Sequence, residues 1–206
     1  MPRETVRQVM VREVELKSVV DDVAGCRRRI ERAGAELMFD GRLEDRRYDA
    51  LDGRLSGADH VLRLRAYSDA HGVRATLEWK GPTREEHGYK VRDELSARTA
   101  DPSNLAAILE RLGYTVIGEI DRHVAQYAFD HAVVRFEMYP RMDALVEVEG
   151  PPAAIERAIE ALGMPRDGFT AERLLAFVHR YEARTGVHAA ISDRQLAGDA
   201  GALADG

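Results

Sequence analysis

A single cysteine in 206 residues, Cys26, excludes an intramolecular disulfide and any cysteine cluster able to hold zinc. Set in an expected helix, it reads as a small buried residue. No apolar run approaches the roughly 20 residues that a membrane span needs. The opening MPRETVRQVM has neither an apolar core nor a small-residue cleavage site, so it is not expected to be a signal peptide. Positive charge is not in excess either. Thirty Lys and Arg against 36 Asp and Glu leave a net charge of −6, which argues against a surface for duplex nucleic acid or anionic lipid. Together these absences predict a cytoplasmic protein with neither nucleic acid nor membrane as partner. They leave room for a local basic pocket, because net charge does not say where the basic residues sit.

What is present suits one sizeable domain. Apolar residues make up 45% and charged residues 32%, enough for a full core with a highly charged remainder. Val11 to Val19 alternates charged and apolar residues as a strand does. Asp21 or Asp22 is placed to cap a helix to about Ala33, with Gly34 at its end. Short alternating segments follow at Glu44 to Asp49, Val61 to Tyr67, Ala75 to Lys80 and Tyr89 to Leu95. Asp101-Pro102 opens a helix to about Leu112. Strands are expected again at Tyr114 to Glu119, Val124 to Phe129, Val133 to Met138 and Ala144 to Glu149. Pro151-Pro152 opens a third helix ending at Gly163, and Thr170 is expected to cap a fourth over Ala171 to Thr185. The domain is expected over residues 1–186. Residues 187–206, rich in Ala, Gly and Asp without periodicity, are expected to be a disordered tail.

Strand side chains alternate between faces, and this rule sorts the charges. Glu13, Glu15 and Lys17 share one face, with Val14 and Leu16 opposite. Arg63 and Arg65 oppose Leu62 and Leu64, and Glu78 and Lys80 oppose Leu77 and Trp79. Lys90, Arg92 and Glu94 oppose Val91 and Leu95, with Asp93 interrupting the apolar side. Arg135 and Glu137 oppose Val134, Phe136 and Met138, and Glu147 and Glu149 oppose Val146 and Val148. An antiparallel sheet with its charged face in water accounts for any one of these strands. A solvated face would mix in Ser, Thr, Asn and Gln, which the charged positions almost lack. The alternative is a closed barrel with charged faces inward and apolar faces against helices. Charges crowded there must be paired or bound to something. Arg forks grip phosphate and carboxylates hold hard cations, so such a lumen suits a metal–polyphosphate.

Several segments, in this order, resemble the CYTH, or triphosphate tunnel, superfamily. Glu13-Val14-Glu15-Leu16-Lys17 is similar to its E-x-E-x-K signature, and Leu62-Arg63-Leu64-Arg65 to its basic strand. Glu78-Trp79-Lys80-Gly81-Pro82 is similar to its lysine strand and turn, and Lys90-Val91-Arg92-Asp93-Glu94 to its R-x-E strand. Leu145-Val146-Glu147-Val148-Glu149-Gly150 resembles its late E-x-E strand. The resemblance spans roughly residues 11 to 182 and is closest to the class IV adenylyl cyclase-like and thiamine triphosphatase-like branch.

The resemblance implies an α+β fold, a closed antiparallel barrel with flanking helices. It implies that Lys17, Arg63, Arg65, Lys80, Arg92 and Arg122 bind a triphosphate. Glu13, Glu15, Glu147 and Glu149 would hold Mg²⁺ or Mn²⁺, together with Glu137, which stands where the family usually has an Asp. Glu13, Glu15, Lys17 and Glu94 are the expected catalytic group, with Glu94 orienting basic side chains or sharing the metal shell. Arg122 comes from Asp121-Arg122-His123, a loose match to the family's paired basic residues. His60 and His123 are expected at the surface. The implied activity is metal-dependent hydrolysis of a small triphosphate, inorganic or organic. The alternatives are class IV cyclisation of ATP to cyclic AMP and pyrophosphate, and polyphosphate or nucleotide binding without catalysis. Apolar outer strand faces leave room for a homodimer.

Overall fold

The computed structural model describes residues 11–198. The N-terminal stretch read above for a signal peptide and the last eight residues of the expected tail lie outside the described residues. Nine strands and six α-helices run in the order β1 (Val11–Val19), α1 (Val23–Arg32), β2 (Glu36–Ala50), α2 (Arg54–Gly57), β3 (Val61–Asp69), β4 (Gly72–Lys80), β5 (Arg84–Glu86), β6 (Tyr89–Thr99), α3 (Pro102–Arg111), β7 (Tyr114–Phe129), β8 (Ala132–Met138), β9 (Leu145–Glu149), α4 (Pro152–Leu162), α5 (Leu174–Thr185) and α6 (Asp193–Leu196). The strands form one antiparallel sheet in the order β1-β9-β8-β7-β2-β3-β4-β6, with the short β5 added to β6, and β6 pairs back onto β1. That pairing, Val11 with Glu94 through Glu15 with Lys90, closes an eight-stranded barrel and removes its sheet edges.

The closed alternative is therefore the one the chain adopts, and the alternation rule assigns its faces. Outside, Leu16, Val134, Phe136, Val146 and Val148 bury against Cys26 and Ile30 of α1 and Ile155, Ile159 and Leu162 of α4. A second outer cluster sets Tyr48, Leu62, Leu64 and Leu77 against Leu105 and Leu109 of α3. Local chemistry starts these helices. Asp22 Oδ1 accepts the Gly25 N–H at 2.7 Å, and a Cβ at Gly25 would lie 1.8 Å from the Asp22 carboxylate. Asp101 caps α3 in the same way, with Pro102 as its first residue.

The structure departs from the sequence reading in several places. β2 begins at Glu36, well before Glu44, and β7 runs unbroken through Asp121-Arg122-His123. Within it Asp121 turns outward to Arg46 at 2.7 Å while Arg122 turns into the barrel. Asp93, which interrupted an apolar face, pairs with Arg84 of the short β5. Thr170 does not cap α5: its N–H and C=O are committed to Lys17 at 2.8 and 2.9 Å, and the helix starts at Leu174. Residues 187–198 are not a loose tail. Ala190 pairs with Arg141, the Asp121 N–H donates to the Ile191 carbonyl, and Ala190 and Ile191 are buried. Small residues allowed that close approach, which composition alone had suggested was disorder.

Candidate active site

The inward faces converge on one cavity. Of the residues expected to form the site, Glu13, Glu15, Lys17, Arg63, Arg65, Lys80, Arg92, Arg122, Glu137 and Glu147 line it. Glu94 and Glu149 lie on the same inward strand faces but not on the cavity wall. Glu94 sits 3.5 Å from Lys80. His123 is at the surface against Asp40, and His60 is half-buried edge-on to Trp79.

The lining is a lattice of buried ion pairs. Lys17 bridges Glu15, at 2.7 Å, and Glu147, which also takes Arg135. Lys80 holds Glu13, and Lys90 reaches Glu15 at 2.5 Å. Arg122 binds Glu137 at 2.8 Å, and the Tyr139 hydroxyl donates to the other Glu137 oxygen at 2.7 Å. Burial alone would raise Glu137, but Arg122, Lys17 and Arg135 outweigh it and bring it down to about 2. Glu78 behaves alike beside Arg63 and Arg65, reaching about 2. Such pairs are costly to desolvate, so the barrel holds them rigid rather than gaining much stability from them.

Sequence reasoning gave no role to several residues of the site. Lys90 and Arg135, which line the cavity, and Glu78, which pairs with Arg63 behind it, were on the charged faces but unassigned. Asp45, Arg47, Tyr139 and Arg173 were missed altogether. Asp45 is the centre of the basic group: it takes Arg65 through two hydrogen bonds of 2.6 and 2.9 Å and Arg122 at 3.0 Å, with Arg63 at 3.7 Å. The run Glu44-Asp45-Arg46-Arg47 is charged on both strand faces, so alternation had nothing to sort. Arg173 comes from the cap of α5, which no strand rule reaches. Next to Arg65 the inward faces turn apolar, where Phe39, Leu43 and Val124 pack with Tyr67. Arg173, with its side chain 43% exposed, marks where the charged cavity meets solvent.

Two carboxylates are left over. Glu13 Oε2 is buried without a hydrogen-bond partner, and Glu149 makes no hydrogen bond or ion pair among the described residues. Burial, against some relief from Arg135, and repulsion from Glu13 and Glu147 raise Glu149 to about 7. A carboxyl raised in the folded state binds its proton more tightly there than in the unfolded chain. Its stabilising contribution is therefore complete at acid pH and is lost as pH rises through about 7. Glu149→Gln is accordingly expected to unfold at higher denaturant than the native protein at pH 8, with the gain gone at pH 4.5. An equal gain at both pH values would show that the effect is not ionisation of Glu149.

The CYTH domain profile matches residues 11–138, and the chain belongs to the CYTH domain family. The matched region ends before β9, so Glu147 and Glu149 stand beyond it. CYTH proteins are typically enzymes acting on small triphosphates, and metal dependence is general among them. No curated protein matches this chain. Among solved structures, a Vibrio parahaemolyticus protein proposed as an adenylate cyclase is similar at 17% identity and a TM-score of 0.68, over 81% of this chain and 97% of that one. The PH1819 protein of Pyrococcus horikoshii OT3 is similar at 22% identity and a TM-score of 0.67, over 82% and 98%. HpAC1 from Hippeastrum, for which a dominant triphosphatase activity is described, is similar at 16% identity and a TM-score of 0.57, over 86% and 96%. At these identities the likeness is one of fold.

Proposed function

We propose that this chain is a metal-dependent phosphoryl-transfer enzyme that hydrolyses a triphosphate held inside the barrel. A reversal of charge carries the reading. Ten cationic and five anionic side chains line the cavity of a chain whose net charge is −6. That excess suits a compact polyanion, and arginine forks suit phosphate oxygens. On inorganic triphosphate, water attacks the terminal phosphorus, the bond to the bridging oxygen breaks, and orthophosphate, pyrophosphate and the proton given up by water leave. Phosphoryl transfer asks for positioning and charge stabilisation more than covalent chemistry. The Asp45-anchored Arg65 and Arg122 supply this without reorganising, because their forks are already fixed. No separate side-chain general base is required.

The acidic residues fit a hard divalent cation, Mg²⁺ or Mn²⁺, although among the described residues no three acidic, His or Cys side chains stand as a ready-made cage. The unpartnered Glu13 Oε2 and the unpaired Glu149 are available donors. Glu15, Glu147 and Glu137 would join them by releasing their ammonium or guanidinium partners. A divalent ion held by these carboxylates would supply neutralisation of phosphoryl-oxygen charge and a more acidic water. A second reading, cyclisation of ATP, draws on Val61, Ile120 and Leu174, apolar groups in the wall that would accept a nucleoside.

The test is product analysis of purified protein with inorganic triphosphate or ATP, each with Mg²⁺ or Mn²⁺. Orthophosphate and pyrophosphate from inorganic triphosphate, falling to background in excess chelator, are expected. Cyclic AMP as the main product from ATP would replace hydrolysis by cyclisation. Tight binding in chelator with no turnover under any condition would leave a non-catalytic binder.

A further inference from the structure

Most lining cations have acidic partners; three at the open end are short of them. Arg47 of β2 stands directly across from Arg63 of β3 in the strand register. Like charges at directly opposed positions destabilise a sheet, and a sequence selected for stability alone would not keep them. Arg63 has Glu78 at 2.6 Å. The Arg47 guanidinium makes no hydrogen bond or ion pair among the described residues, although it lines the cavity. Burial and the neighbouring charges of Arg63 and Arg173 pull its pKa below the ordinary guanidinium value.

Arg92 and Arg173 line the cavity beside it. Both are pinned by Asp59, a non-glycine residue at φ 55°. Arg173 Nη2 lies 2.7 Å from the Asp59 carboxylate, and Arg92 donates to the Asp59 carbonyl at 2.7 Å and to the Gly81 carbonyl at 2.6 Å. The Asp59 carboxylate thus serves two of the three guanidiniums and Arg47 has none, leaving the three with an excess of two positive charges. A phosphate with a free end carries roughly −1.5 to −2 near neutral pH, whereas esterification of that end removes the second ionisation. The excess matches a free end.

We propose that Arg47 and Arg173, with Arg92, form a seat for an unesterified terminal phosphate and so determine specificity for linear polyphosphates with at least one free end. The inference rests on the triphosphate reading above and adds which end of the ligand lies at the cavity mouth. It also accounts for the retention of the Arg47–Arg63 opposition: the bound dianion relieves it.

Titration calorimetry in chelator, where metal-dependent turnover is stopped, tests the seat by binding alone. The probes are inorganic triphosphate, ATP and a dinucleoside triphosphate, with two, one and no free ends. Arg47→Ala and Arg173→Ala are each expected to weaken inorganic triphosphate and ATP about tenfold or more, about 1.4 kcal/mol. The doubly esterified ligand should change less than about twofold. Arg54→Ala, which removes the same charge from an exposed site, should leave all three unchanged. Without ligand, Arg47→Ala should melt at or above the native temperature, since a repulsion is removed. Unchanged triphosphate affinity in both cavity variants, or an equal loss for all three ligands, would overturn the seat. Turnover with metal is scored separately. A protein that loses binding in Arg47→Ala yet never hydrolyses triphosphate keeps the seat and loses the proposed activity.

Discussion

Replacing Asp45 with alanine is expected to destabilise the protein by roughly 3–5 kcal/mol, the range for removing one partner of a buried ion pair. Asp45 is 1% exposed, and Arg65, Arg122 and Arg63 converge on it. Burial by itself would raise its pKa, but those three guanidiniums hold the carboxyl well below its ordinary value. Without it, two of them keep one carboxylate each, Glu137 for Arg122 and Glu78 for Arg63, while Arg65 keeps Glu78 only at 3.7 Å. For a chain of this size the melting temperature should fall by roughly 2–4 °C per kcal/mol. Urea unfolding should show a lower midpoint with an unchanged slope. Inorganic triphosphate should restore part of the loss, because a bound polyanion replaces the missing charge. A native midpoint in Asp45→Ala would mean that the arginines are not held by this carboxylate. The same linkage sets an acid limit. Asp45, Glu78 and Glu137 all have depressed folded-state pKa values. Their contribution is present above the unfolded carboxyl range and is lost as pH falls through the lowered folded-state values, about 2 for Glu78 and Glu137.

Arg65→Ala is expected to lower turnover on triphosphate, and to cost less stability than Asp45→Ala because Asp45 keeps Arg122 and Arg63. Losing one charged partner of a buried contact costs roughly 2–5 kcal/mol, about 30-fold to several thousand-fold in kcat/KM. Arg65 is 4% exposed, and Asp45 fixes its fork by two hydrogen bonds, so its remaining donor capacity faces the cavity without searching rotamers. Steady-state kinetics would show the loss in kcat if the interaction strengthens in the transition state, and in KM if it only holds the ground state. Arg65→Lys should recover little, because an ammonium cannot reproduce the bidentate grip on Asp45. Native kinetics in Arg65→Ala would remove this arginine from the substrate-binding set.

Much of the barrel was legible because its strands follow a strict period of two. Leu62 and Leu64 against Arg63 and Arg65, or Val146 and Val148 against Glu147 and Glu149, have one sorting that buries carbon and gathers charge. Capping chemistry at Asp22 and Asp101 is equally local, and those helix starts needed no tertiary information. Reading stopped where both faces of a strand are charged, as in Glu44-Asp45-Arg46-Arg47, or where a side chain enters from a loop or cap, as Arg173 does. It erred at Thr170 because a residue suited to capping was already committed to Lys17 by backbone pairing. It erred after Val187 because small residues look alike in a mobile chain and in a close-packed one.

By itself, then, the sequence determined which side chains share a strand face, that those faces separate apolar from charged, and that the order of charged strands is that of the CYTH family. Closure of β6 onto β1, the convergence of three arginines on Asp45, and the unbalanced set of Arg47, Arg92 and Arg173 were decided by tertiary structure. The reason is physical. Alternation is a property of one strand's backbone, whereas the partner of a buried charge is chosen by register, closure and distance among residues far apart in the chain.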